Sequence, residues 1–230
     1  MLDALFSRYD GIIVLDTETT GINHKTDEII ELAALRAVPD AGGYRIETEM
    51  DEFIRLSPGK WLSPVITDLT GITPEMLKED GIPKQEAAQQ FAAMLNTGSN
   101  LIVAYNAQFD LCFLYYFLSR LGLAQALQGN AMLDAMTVYK DRQPYPHKLC
   151  NAVEAYHLQG RNTHRAIDDA MVTLELLEAM ERELPDLERY INLFGYNAKY
   201  GVSGPRIRSV TYAPQSYEPT QKLYETVISV

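Results

Sequence analysis

The chain has 230 residues, enough for one sizeable domain, and its 47% apolar and 10% aromatic content is ample for a packed core. A formal charge of −11, with no basic stripe, argues against a tight, non-specific nucleic-acid binder, and it allows an enzyme that grips a strand end through metal ions. Two cysteines are too few for a disulfide framework, the N-terminal Met1-Leu2-Asp3-Ala4 lacks a secretory pattern, and the apolar run 111–118 is too short to span a bilayer; a cytoplasmic protein without a membrane segment is expected.

Taken in order, 11–15 reads as a short buried strand bounded by glycine, followed by a turn at Thr19–Asn23. Residues 28–38 and 44–56 read as two further strands joined by a turn at Ala41-Gly42-Gly43, which gives an antiparallel meander. Ser63-Pro64 and Thr73-Pro74 carry helix-start chemistry. Residues 83–95 keep a helical apolar stripe, 101–105 form a strand, and a helix follows to about 121. A fifth strand is expected over 131–138, then helices over 148–157 and 166–184, with another opening at Pro185. From residue 195 the composition turns to Tyr, Ser, Pro and Gly and ends in a β-prone stretch, 223–230. The expected architecture is an α/β domain over 1–194 with a mixed sheet flanked by helices, and an extension over 195–230 that is an extra hairpin or a partner-binding arm.

Acid stands where packing does not ask for it. The apolar run 12–15 leads directly into Asp16 and Glu18, and no Lys or Arg lies between Asp10 and Lys25 to pair with them. On an extended strand these carboxylates share a face, which suits a hard divalent cation; a strand ending at a solvated acidic turn explains the same pattern. Asp110 opens an otherwise apolar helix and is equally suited to cap it. His164-Arg165-Ala166-Ile167-Asp168-Asp169 opens the next long helix, where acids are ordinarily favoured.

The combination resembles the DEDDh 3′-to-5′ exonucleases, of ribonuclease H-like fold, and within them the bacterial DNA polymerase III epsilon (proofreading) type. The carriers are Leu15-Asp16-Thr17-Glu18-Thr19-Thr20-Gly21, Ile29-Ile30-Glu31, 69–73 (Leu-Thr-Gly-Ile-Thr), Val103–Asp110, and His164 with Ala166 and Asp169, in family order over about 10–180. Two departures stand out: Tyr105 replaces a common His, and Asp168 adds a carboxylate beside Asp169. Spacing from His164 selects Asp169 as the ligand.

The resemblance implies that Asp16, Glu18, Asp110 and Asp169 hold two divalent ions, Mg²⁺ or Mn²⁺, that stabilise the attacking and leaving oxygens of a phosphodiester. His164 would then take a proton from the attacking water. Thr19, Thr20, Gly21 and Ile72 would line the terminal nucleotide, with Asn106 and Phe109 near the cut, although Ile72 and Phe109 fit a core role equally. The expected substrate is the 3′ end of single-stranded or frayed DNA, with RNA as the alternative. A DNA polymerase or another replication or repair protein is the expected partner. A noncatalytic binding module is disfavoured because every carboxylate and the histidine are present.

Overall fold

The apolar run 12–15 lies on the middle strand of a five-stranded sheet. A computed structural model describes residues 2–218 and 221–227. After a short helix α1 (Asp3–Phe6), the strands β1 (Gly11–Thr19), β2 (Ile29–Asp40) and β3 (Gly43–Phe53) form the expected meander. Helices α2 (Pro64–Thr70), α3 (Pro74–Glu79) and α4 (Lys84–Leu95) precede β4 (Asn100–Ala104) and α5 (Ala107–Arg120). Then come β5 (Ala131–Asp134), α6 (Ala135–Lys140), α7 (Leu149–Tyr156) and α8 (Ala166–Glu183). The chain closes with β6 (Leu193–Tyr196), β7 (Thr211–Pro214) and α9 (Leu223–Val227).

The sheet order is β3-β2-β1-β4-β5, with β1 antiparallel to β2 and parallel to β4, so the sheet is mixed as expected. Alternation along β1 divides the core. Ile12 and Val14 pack with Leu174 and Leu177 of α8, whereas Ile13 and Leu15 pack with Phe91 of α4 and Leu114 of α5. β1 and β4 are parallel neighbours reached by different connections, and ligands gather beyond the carboxyl ends of strands at such a point.

Local chemistry explains the short helices. Ser63 and Thr73 each cap a helix whose first residue is proline, accepting from Val65 N at 3.3 Å and Met76 N at 3.2 Å. Gly71 ends α2 at φ 73°, a left-handed conformation that glycine adopts without strain.

Four expectations need correction. The strand expected over 131–138 stops at Asp134, because that carboxylate caps a new helix: it accepts from Met136 N (3.2 Å) and from Thr137 Oγ1 (2.7 Å). After residue 185 the chain makes one 3₁₀ turn, Leu187–Tyr190, and then enters β6. β6 and β7 pair parallel as a separate two-stranded sheet, so they are not a hairpin added to the main sheet. The β-prone stretch begins as helix α9, and 228–230 lie outside the described residues. Among the described residues, no helix is long and apolar enough to cross a membrane.

Candidate active site

β1 delivers Asp16 and Glu18 at its carboxyl end, on the face that packs against α8. Thr17 points to the other face, where its hydroxyl donates to Asp110 Oδ1 at 2.7 Å and ties α5 to β1. Asp169 enters from the first turn of α8. The donor atoms of Glu18, His164 and Asp169 lie within 4.8 Å of one another, which is close enough to share one cation. Asp110 and Asp169 are buried, and Asp16 and Glu18 are partly open.

The charges repel strongly. Burial pushes Asp16 well above the ordinary carboxylate range, reinforced by Asp110, Asp169 and Glu18. Glu18 rises to about 8, mainly through burial and then through Asp169 and Glu31. Asp110 and Asp169 are also raised by burial, although hydrogen bonds from Thr17 to the first and from Asn162 and Thr163 to the second oppose the shift. Carboxylates in this condition stay ionised only if a cation joins them. Their oxygen chemistry fits a hard divalent ion.

Two positioning acids hold this geometry. Glu31 faces Glu18 directly across the β1–β2 ladder and is fully buried. Its Oε1 accepts from Arg165 Nε (2.9 Å) and Nη2 (2.7 Å), and its Oε2 accepts from Ala166 N (3.0 Å). The start of α8 is therefore pinned to β2. Asp134 Oδ1 accepts from Asn106 N (2.9 Å) and Ala107 N (3.1 Å), which fixes the start of α5 four residues before Asp110. Neither acid was assigned a role from the sequence. The available signal was an acid inside an apolar strand, which demands a partner.

His164 is exposed at the mouth and sits at φ 59°, unusual for a residue with a Cβ. Glu31 holds Arg165 on one side of it; on the other, Asp169 Oδ1 accepts from Thr163 N at 3.1 Å. Asp168 is exposed and accepts from Thr163 Oγ1 at 2.6 Å; it lies outside the group formed by Glu18, His164 and Asp169, as do Asp16 and Asp110. His24 stacks on Tyr116, His147 is buried with Nε2 2.9 Å from Gln143 O, and His157 ends α7; none joins the carboxylates.

The expected substrate residues divide. Thr19 Oγ1 donates to Gly21 O (2.6 Å), and Thr20 Oγ1 accepts from Glu28 N (3.0 Å), so the loop after β1 is fixed. A Cβ on Gly21 would lie 2.5 Å from Asp27 Oδ2, so a larger residue would have to displace the carboxylate that accepts from Asn23 N. Asn106 is exposed at φ 66°, and Phe109 is half-buried with its ring 4.9 Å from Phe113. Ile72 is a correction: it is fully buried with Ile30, Leu62 and Leu77 and presents no surface to a nucleotide. Tyr105 turns its hydroxyl away, donating to His147 O at 3.0 Å. A cavity of about 240 Å³ lies beside the 20–28 loop, but it contains none of the four clustered carboxylates, and a Glu28–Lys84 ion pair (2.6 Å) sits on its wall.

Comparison with known proteins bears on the fold and the family. The DNA polymerase III PolC-type protein of Oceanobacillus iheyensis is 30% identical over 225 residues, covering 95% of this chain and 15% of that protein. The chain therefore spans only a small part of the length of this relative. Escherichia coli Exonuclease I in complex with a dT13 oligonucleotide superposes with a TM-score of 0.69 at 19% identity, over 79% of this chain and 43% of that one. The zinc-bound form of the E. coli ExoI–ssDNA complex gives 0.70 at 18%, over 80% and 43%. These likenesses show a shared ribonuclease H-like fold. The Exonuclease (RNase_T) family model matches residues 13–177, from within β1 to within α8, and the chain belongs to that family of DEDD-type exonucleases.

Proposed function

We propose that this chain is a 3′-to-5′ exonuclease that removes nucleoside 5′-monophosphates from single-stranded or frayed DNA ends, in proofreading or end trimming. The observation that carries the reading is that donor atoms of Glu18, His164 and Asp169 lie within 4.8 Å of one another, with the Asp16 and Asp110 carboxylates near enough to repel Glu18 or each other. The Exonuclease I–oligonucleotide complexes support DNA as the substrate, and the PolC-type relative supports a polymerase as a partner.

The four carboxylates would hold two divalent ions, Mg²⁺ or Mn²⁺. When bound, such ions supply charge stabilisation to the attacking and leaving oxygens of the phosphodiester. The protein's own groups do the rest. Thr17 and Asp134 aim Asp110, and Glu31 fixes the start of α8 and so His164. His164 accepts the proton of the attacking water. The backbone from Thr19 to Gly21, together with Asn106 and Phe109, receives the last nucleotide.

Digestion of 3′- and 5′-labelled DNA and RNA strands of equal sequence tests the reading. Mononucleotide release from the 3′ end, abolished by chelator and faster on DNA, is the expected result. Internal cuts, 5′ release or activity in chelator would refute it.

Stability should follow the same charges. In chelator the folded protein keeps a proton on Glu18 up to pH about 8, whereas the unfolded chain releases it near 4.5. Stability is therefore greatest below that window and falls as pH rises through it. Thermal melts in chelator should show Tm declining from pH 5 to pH 8, and Mg²⁺ should restore it most at pH 8. A Tm indifferent to Mg²⁺ at pH 8 would count against the cation site.

A further inference from the structure

Residues 195–217 contain Lys199, Arg206 and Arg208 and no Asp or Glu, in a chain of net charge −11. This segment lies outside the family-model match. Its ends are fixed on α6: Gly195 N donates to Thr137 Oγ1 (3.0 Å), and Gln215 Nε2 donates to Thr137 O (2.8 Å). Its middle is strapped across the first turns of α5. Gln108 Nε2 donates to Ser203 O (2.8 Å) and Pro205 O (2.9 Å), while Gln108 Oε1 accepts from Tyr212 Oη (2.6 Å). Gly204 lies so close to His24 and Cys112 that a Cβ there would meet them at 3.0 and 3.2 Å. The strap is thereby held beside Phe109 and Asp110 on the same helix.

The outward side of the strap is basic and aromatic. Lys199, Tyr200, Arg206 and Arg208 are exposed, with Tyr200 at 72%. The Arg206 guanidinium lies 5.2 Å from the Tyr212 ring and 5.8 Å from the Tyr196 ring, and Lys199 Nζ lies 4.9 Å from the Tyr200 ring. Among the described residues, none of the three cations makes an ion pair; Lys78, Lys148 and Arg161 in the body are unpaired as well, but the strap carries its three with no Asp or Glu between them and with tyrosine rings beside Lys199 and Arg206. A polyanion is repelled by the acidic body and can approach only where cations stand free. Free cations interleaved with tyrosine rings match phosphates and unstacked bases together.

We propose that this strap binds the single-stranded polynucleotide on the 5′ side of the terminal nucleotide and feeds its 3′ end to the carboxylates. The proposal deepens the exonuclease reading and rests on it. The strap adds a segment that is basic without any acid to a body that is acidic overall, so the extension contributes strand affinity and the domain the chemistry. Cleavage of successive nucleotides then keeps the strand on the same track.

The test uses the full chain with K199Q, R206Q and R208Q combined, and R208E alone, which leaves the Tyr196–Arg206–Tyr212 contacts intact. Labelled oligothymidylate and oligouridylate of about twenty nucleotides are titrated by fluorescence anisotropy in chelator, where no cleavage intervenes. The combined variant should bind at least about tenfold more weakly, with the slope of log affinity on log salt shallower by about 2. R208E should weaken binding in the same direction. Loss on either strand supports the strap, and unaltered affinity for both overturns it. Mg²⁺-dependent digestion by the wild-type chain is scored separately: if it is absent the exonuclease reading falls, while the affinity result still stands.

Discussion

Asp16→Asn should lower Mg²⁺-dependent strand hydrolysis by at least about 10³-fold, because metal stabilisation of the reacting oxygens is worth several kcal/mol and each factor of ten takes about 1.4. Asn keeps the shape of Asp16 and removes its charge. That charge sits in the field of Asp110, Asp169, Glu18 and Glu31, which all oppose it when no cation is present. The variant should therefore melt no lower than the wild type in chelator, and its Tm should no longer rise with Mg²⁺. A merely structural role for Asp16 predicts the reverse, a lower Tm under both conditions. Melts with and without Mg²⁺ beside a digestion assay separate the two. Retained hydrolysis would remove Asp16 from the mechanism.

Glu31→Ala should destabilise the fold by about 3 kcal/mol, the scale for removing one partner of a largely buried ion pair and orphaning its donors. Glu31 is fully buried, and its loss leaves Arg165 and Ala166 N without their acceptors. For a domain of this size that is a fall in Tm of about 10 °C. Activity should fall further than stability explains, because the same bonds set the turn that presents His164 and Asp169. Glu31→Gln retains acceptor and shape, so it should recover part of the stability and more of the activity. Urea unfolding with kcat measured below the transition would check both. Unchanged kcat in folded Glu31→Ala would reduce Glu31 to a purely structural group.

The readability of each element tracked how local its cause was. The meander, the mixed sheet and the long helices followed from apolar periods of 2 and 3.6, and the helix starts at Ser63 and Thr73 from caps lying next to their helices. Asp134 was read as part of a strand because Ala131–Val138 is β-prone throughout; its carboxylate ends the strand only by capping α6 while also bonding the start of α5, 27 and 28 residues away. Glu31 finds its partners 134 and 135 residues later, a distance over which no local pattern carries information. Ile72 sits in a motif-like segment, and only packing against Ile30, Leu62 and Leu77 shows that it is core. The parallel pairing of β6 and β7 was hidden for the same reason, since parallel strands need a long connection and leave no turn signal.

β1, which carries Asp16 and Glu18, is the middle strand of the sheet, paired on both sides. Its amides can meet deuterium only when the whole domain opens. The turn around His164 has no ladder on either side and exchanges through small local fluctuations. Heat should therefore take His164 out of register before it disturbs Asp16 and Glu18 on β1. If the proposed exonuclease reading holds, gentle warming should slow turnover before β1 opens, and cooling should restore the rate without refolding.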